Sequence, residues 1–120
     1  MNVDRPSSAH RTDVPSFKSD RKFTLFGYTC SHGLLLLRSG KTNEHSSRID
    51  VLITDVRAME IRSRSEGLEI AQADQDYLDG FQSNPIEMSR PGNKIYSLKG
   101  TGWQGFVVGG ILSVCQDELD

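Results

Sequence analysis

The sequence has little cysteine, no long apolar run and no excess of basic residues, and each shortage excludes a class of protein. Only two cysteines, Cys30 and Cys115, occur among 120 residues, too few for a disulfide-rich secreted scaffold. No segment reaches the roughly 18 consecutive apolar residues of a membrane span, and the N-terminus lacks the apolar stretch of a secretory signal. We therefore expect a cytoplasmic protein with no membrane partner and with both cysteines reduced.

The formal net charge of the chain is -2, whereas nucleic-acid-binding domains usually carry a basic excess or a basic stripe. The basic residues between Arg38 and Arg64 are interleaved with acidic ones. Such a mixture is typical of an ordinary solvated face. We expect no nucleic-acid partner.

Catalytic and cofactor motifs are also missing. The chain has no G-x-S-x-G, no phosphate-binding G-x-x-x-x-G-K-[ST] and no H-E-x-x-H. Zinc sites are usually built from close pairs of ligands, and the only loosely spaced pair here is Cys30 with His32. We therefore expect neither a bound metal nor a cofactor, and an enzyme is the less favoured class.

The composition divides the chain at Arg21. Residues 1–21 are rich in serine, proline and charge and contain few apolar side chains, so their burial cannot offset the entropy lost on ordering. We predict a flexible tail over residues 1–21 and a single mainly β domain over residues 22–120, a length suited to one core.

Alternating apolar residues and turn signals predict about six strands in that domain. The consecutive leucines from Leu34 to Leu37 indicate either a strand buried on both faces or an exposed apolar patch. Gly109 and Gly110 predict a bend in a long final strand. The longer predicted strands lie at Phe23–Tyr28, Leu34–Leu37, Arg48–Thr54, Lys94–Lys99 and Gly105–Cys115, and two shorter candidates lie at Ala58–Arg62 and Leu68–Ala71.

The stretch from Ser63 to Gln82 allows two interpretations. Ala58–Arg62 and Leu68–Ala71 can form a hairpin followed by a short helix within Asp74–Gln82, capped by Asp74 or Asp76. Alternatively, one longer helix begins near Ser63. We favour the hairpin, and hence a mainly β (all-β or α+β) fold: a small antiparallel barrel, roll or sandwich with one short helix.

The segment Gly100–Gly105 matches the pattern G-x-G-x-x-G of dinucleotide-binding proteins. That function requires a helix after the glycines and a further strand with an acidic residue, whereas the following residues favour a strand and the chain stops too soon. The segment is better interpreted as a tight hairpin turn with Trp103 at or near its tip. Trp103 is then either an exposed anchor for a partner or a ring folded over the core.

An acidic stretch follows the middle of the chain. Asp74, Asp76 and Asp79 have nearly the spacing of a calcium loop, but the glycine falls one position late and no glutamate closes the loop. Their charge would suit a basic partner, and a solvated helix face is the alternative.

Two functions from different classes remain. The first is a non-enzymatic protein-interaction module of the inhibitory or adaptor type, which uses Trp103, Asp74, Asp76 and Asp79, and whose exposed strand edges would also allow a homo-oligomer. The second is a small-ligand-binding β domain or an enzyme with a cavity near Tyr28, Cys30 and His32.

Overall fold

The computed structural model describes residues 11–29, 33–42 and 44–117, and these residues form one antiparallel sheet. The mainly β prediction is confirmed, with more strands than expected. No helix in the described part is long and apolar enough to cross a membrane. The strands are β1 (Arg11–Asp13), β2 (Phe17–Thr29), β3 (Leu34–Ser39), β4 (Arg48–Ile53), β5 (Ala58–Glu60), β6 (Arg64–Ala73), β7 (Lys94–Gly100), β8 (Trp103–Gly109) and β9 (Leu112–Asp117).

The strand order is β1-β9-β4-β3-β2-β6-β7-β8-β5, and the sheet curls until it meets itself. Strands β4 and β5 are successive parts of one bent segment, as are β8 and β9. The two bends lie side by side, because the Thr54 amide donates to the Ile111 carbonyl and the Gly110 amide donates to the Thr54 carbonyl. If β4 with β5 and β8 with β9 are each counted as one long strand, they form a closed ring of six strands with β2, β3, β6 and β7. The expected bend at Gly109 and Gly110 is thus confirmed.

The core fills the inside of this ring. Side chains alternate between the two faces of a strand, so Ile49, Val51 and Ile53 of β4 point inward together. Leu35, Leu36 and Leu37 are each less than a tenth exposed, which shows that β3 is buried on both faces. Inside, Tyr96 donates its hydroxyl to the Gly110 carbonyl, and burial raises the pKa of that phenol.

A smaller apolar cluster lies on the outer face of β7 and β8. The 3₁₀ helix Gln75–Gly80 covers Phe106 and Val108 with Leu78, which is fully buried. A second short 3₁₀ helix spans Ile86–Met88. The predicted short helix therefore exists, but the Asp74 side chain makes no capping hydrogen bond, because the tight 3₁₀ turn uses the Asp74 carbonyl instead.

Two local predictions from the sequence are wrong. Strands β5 and β6 do not form a hairpin, since β5 pairs with β8 while β6 pairs with β2 and β7. The proposed tail also ends too late, because Arg11–Asp13 and Phe17–Arg21 lie in strands β1 and β2. Residues 1–10 lie outside the described residues, and the single-domain assignment stays a prediction.

Arg21 explains why a polar segment joins the sheet. A register shift in the β2–β6 pairing, opposite Gly67 at φ +75°, turns this side chain toward the β3–β4 loop. There the guanidinium donates to the hydroxyls of Ser39 and Ser47 and to the carbonyls of Ser39, Gly40 and Ser47, at 2.6 to 3.3 Å. The side chain is 8% exposed, so hydrogen bonds have replaced its water.

The free edges of the sheet are short. Strands β1 and β5 span three residues each, and short edge strands are poor templates for pairing with another chain. The predicted homo-oligomer through strand edges stays a prediction.

We predict that Arg21→Gln lowers the free energy of unfolding by about 3 kcal/mol, because the loop carbonyls lose buried, charge-assisted donors. Lys22→Gln, at an exposed neighbouring position, should change it by less than about 0.5 kcal/mol. Urea unfolding of the two variants measures the difference. Equal stabilities would show that Arg21 does not hold the loop.

We also predict that Gly105→Ala destabilises the fold by about 2 kcal/mol or more. The added Cβ would collide with the Glu60 carbonyl oxygen where β5 pairs with β8. Gly27→Ala is the matched control, since nothing lies within 4 Å of that Cβ. Thermal unfolding compares the two. Tolerance of Gly105→Ala would contradict the close approach of these strands.

Candidate functional site

A cleft of about 390 Å³ opens where the β7–β8 turn meets the start of β6 and the middle of β2. We call it the Trp103 cleft. Three separate parts of the chain supply its walls, so the cleft depends on the pairing of β2, β6, β7 and β8. Its lining consists of Lys22, Phe23, Thr24, Arg62, Arg64, Ser65, Glu66, Thr101 and Trp103.

Trp103 lies at one end of the ring, at the first position of β8. The two-residue turn Thr101–Gly102, with Gly102 at φ +81°, reverses the chain just before it, which confirms the predicted hairpin turn. The indole of Trp103 is half-buried and packs against the main core. It therefore combines the two alternatives, with one side on the core and the other in the cleft.

Two glycines and one serine fix the orientation of the indole. A Cβ on Gly100 would lie 2.4 Å from the indole Nε1, so this position cannot carry a side chain without moving the ring. The indole N–H donates to the Ser65 hydroxyl at 2.9 Å, and that hydroxyl donates to the Gly67 carbonyl. Because both partners of the Ser65 hydroxyl are within the protein, it acts as a positioning group for the ring.

The charge of the cleft is predominantly positive. Lys22, Arg62 and Arg64 face a single carboxylate, that of Glu66. Lys22 is directly opposite Glu66 in the β2–β6 pairing, with Nζ 3.5 Å from Oε1. Within the described part of the chain, Arg62 and Arg64 form no ion pair. Two exposed guanidinium groups therefore line the same cleft as the Trp103 indole.

The neighbouring depression on the outer face of the same strands has no positive excess. Glu69 of β6 lies directly opposite Lys18 of β2 and Lys99 of β7 in the strand register. Asp20 and Glu66 also line this shallow depression. The positive excess is therefore a property of the Trp103 cleft and not of the whole face.

The acidic residues predicted as partner contacts lie elsewhere. Asp74, Asp76 and Asp79 are exposed on the segment that covers the outer face of β8. Trp103 belongs to the inner face of the same strand. Asp79 accepts a hydrogen bond from Asn84 at 2.8 Å. The structure does not bring these carboxylates into the Trp103 cleft.

Of the three residues predicted for the alternative ligand site, the structure describes Tyr28. Tyr28 is exposed near the end of β2, whereas Cys30 and His32 lie outside the described residues. Cys115 is buried in β9. The ligand-binding or enzymatic use of Tyr28, Cys30 and His32 therefore stays a prediction.

Other acidic residues serve the fold. Asp50 is 1% exposed and accepts from Arg38 at 2.6 and 3.1 Å, with Arg48 at 3.6 Å. Arg38 also stacks on the Phe26 ring at 3.8 Å. Among the residues that the structure describes, no group of three or more His, Cys, Asp or Glu side chains could hold a metal ion.

Comparison with known proteins adds no further assignment, because no family model, curated protein or solved structure matches this chain. The candidate site therefore rests on its own geometry.

Sequence reasoning identified Trp103 but missed its cationic neighbours. Arg62 and Arg64 looked like members of a mixed solvated face because acidic residues flank them in sequence. Strand alternation would have separated Arg64 and Glu66 from the inward-facing Ser65. Lys22 comes from a distant strand, and only the β2–β6 register brings it to Glu66.

We predict that Ser65→Ala lowers the free energy of unfolding by about 1 to 2 kcal/mol and alters Trp103 fluorescence, because the indole N–H and the Gly67 carbonyl each lose a partner. Ser63→Ala, at an exposed position two residues earlier, should change neither quantity. Because the chain has one tryptophan, its emission spectrum reports this site alone. Unchanged emission in Ser65→Ala would contradict the described seat of the ring.

Proposed function

We propose that this chain is a non-enzymatic protein-interaction module, of the inhibitory or adaptor type, that binds an acidic segment of another protein in the Trp103 cleft. The single observation that carries the proposal is that Arg62 and Arg64 line the same cleft as a half-buried indole. Such a module would act in the cytoplasm, as the composition of the chain predicts.

The chemistry of these side chains supports a protein partner. Arginine and tryptophan are the residue types that most often dominate binding energy at protein interfaces. A guanidinium pairs with a carboxylate through two parallel hydrogen bonds, which gives direction as well as strength. The indole offers a large rigid surface whose orientation is already fixed by Ser65, so little entropy is lost on contact.

The sign of the charge selects the ligand. The chain as a whole is slightly acidic, so an acidic partner is repelled by most of the surface and attracted to the cleft, which favours one docking position. Asp74, Asp76 and Asp79 have the opposite sign and lie on another face. We propose that they contact a basic part of the same partner or of a second one.

The proposal predicts that hexaglutamate, with blocked ends, changes Trp103 emission in a saturable way and that hexalysine does not. Binding should weaken as sodium chloride is raised, because exposed charges are screened by salt. Replacing both guanidinium groups, in R62Q/R64Q, should weaken hexaglutamate binding at least about tenfold.

The matched control is K41Q/R90Q, which removes the same charge at exposed loop positions away from the cleft. It should bind hexaglutamate as the unmodified protein does, and both double variants should unfold at the same urea concentration. Equal binding by R62Q/R64Q and the control would disprove the assignment to this cleft.

A further inference from the structure

We infer that Glu66 is a built-in competitor for the acidic ligand, so that this residue determines the affinity and charge selectivity of the Trp103 cleft. The inference rests on the proposed function and adds to it a specificity-determining residue. Glu66 supplies the carboxylate among the cleft's charged groups, and it is placed where a ligand carboxylate would otherwise bind.

The strand register places Glu66 against a cation. Lys22 and Glu66 are directly opposite on β2 and β6, and their charged atoms are 3.5 Å apart. Residues directly opposite on antiparallel strands share one face of the sheet, so the two charged groups remain within reach of each other. In the unbound protein, Lys22 is thus held by a carboxylate of the same chain.

This ion pair is easily displaced. The side chains of Lys22 and Glu66 are 80% and 63% exposed, and pairs this exposed contribute little to stability because water and salt compete with them. An incoming carboxylate can therefore take the place of Glu66 on Lys22. The incoming carboxylate is also repelled by the negative charge of Glu66. Contacts with Arg62 and Arg64 compensate for this repulsion only when the bound segment is strongly acidic.

Glu66 lies between two surface depressions, so its carboxylate is not confined to the contact with Lys22. Its side chain borders both the Trp103 cleft and the adjoining depression that contains Lys18 and Lys99. When a ligand carboxylate pairs with Lys22, the Glu66 side chain, already 63% exposed, can turn into solvent. Displacement therefore leaves the Glu66 carboxylate hydrated and does not bury an unpaired charge.

The test is hexaglutamate titration followed by Trp103 emission in single variants. Glu66→Gln should tighten hexaglutamate binding about fivefold, because it removes a repulsion and releases Lys22. Glu69→Gln is the matched control. It makes the same chemical change on the same strand, but Glu69 lines the adjoining depression and not the Trp103 cleft. It should alter the affinity less than about twofold.

A second comparison isolates displacement from simple repulsion. In a Lys22→Met background, Glu66→Gln should give a smaller gain, because there is no lysine left to release. An equal gain in both backgrounds would overturn the competitor mechanism, as would equal affinities of the unmodified protein and Glu66→Gln. If hexaglutamate binds none of these variants, the proposed function itself fails, and if it binds all of them equally, only the role of Glu66 fails.

Discussion

The close pairing of two bent segments is the constraint on which the rest of the structure depends. Where β4 passes into β5 and β8 into β9, a Cβ on Gly110 would lie 2.9 Å from the Thr54 hydroxyl, so the bends meet without room for a side chain. Backbone hydrogen bonds between Thr54 and residues 110–111 hold them together. This contact joins the two bent segments and so closes the ring of strands. Within the closed ring, the β6–β7 register and the hydrogen bond from the Thr101 amide to the Glu66 carbonyl place the β7–β8 turn beside the start of β6, where the Trp103 cleft lies.

The charged residues fall into groups with different roles. Among the described residues, Arg21 is buried with no carboxylate partner, and its guanidinium donates to hydroxyl and carbonyl oxygens around one loop. Asp50 is buried with two arginines, an arrangement whose desolvation cost offsets much of its attraction and which serves mainly to fix neighbouring strands. Arg62 and Arg64 differ from both groups, since they are exposed and form no ion pair within the described residues. Their free energy of interaction is therefore available to a ligand, whereas that of Arg21 and Asp50 is already used by the fold.

The strands were predictable where burial follows a period of two, as in β4, and the turn before Trp103 and the bend at the glycine pair were predictable from local chemistry. Strand β1 was not, because its partner is β9, at the other end of the described chain. The first part of β2 was not, because Arg21 is stabilised by residues some twenty positions away, around Ser39 and Ser47, and polar sequence alone resembles a tail. The pairing of β5 with β8 depends on the curvature of the whole sheet. The site was predictable to the same extent. Trp103 follows a recognisable turn sequence, whereas the presence of Lys22, Arg62 and Arg64 in the same cleft follows from the pairing of distant strands.

The placement of β1 and β9 also bears on how the molecule forms. Arg11–Asp13 pairs with Ser113–Cys115, so strands from opposite ends of the described chain are neighbours. Closing such distant pairs loses much chain entropy before any contact compensates, which slows the search for the native topology. β4 lies between β3 and β9 in the sheet, and its β9 partner comes some sixty residues later in the chain. Until that pairing forms, one edge of β4 is unpaired beside the leucine-rich strand β3, and such an edge in a folding intermediate favours aggregation.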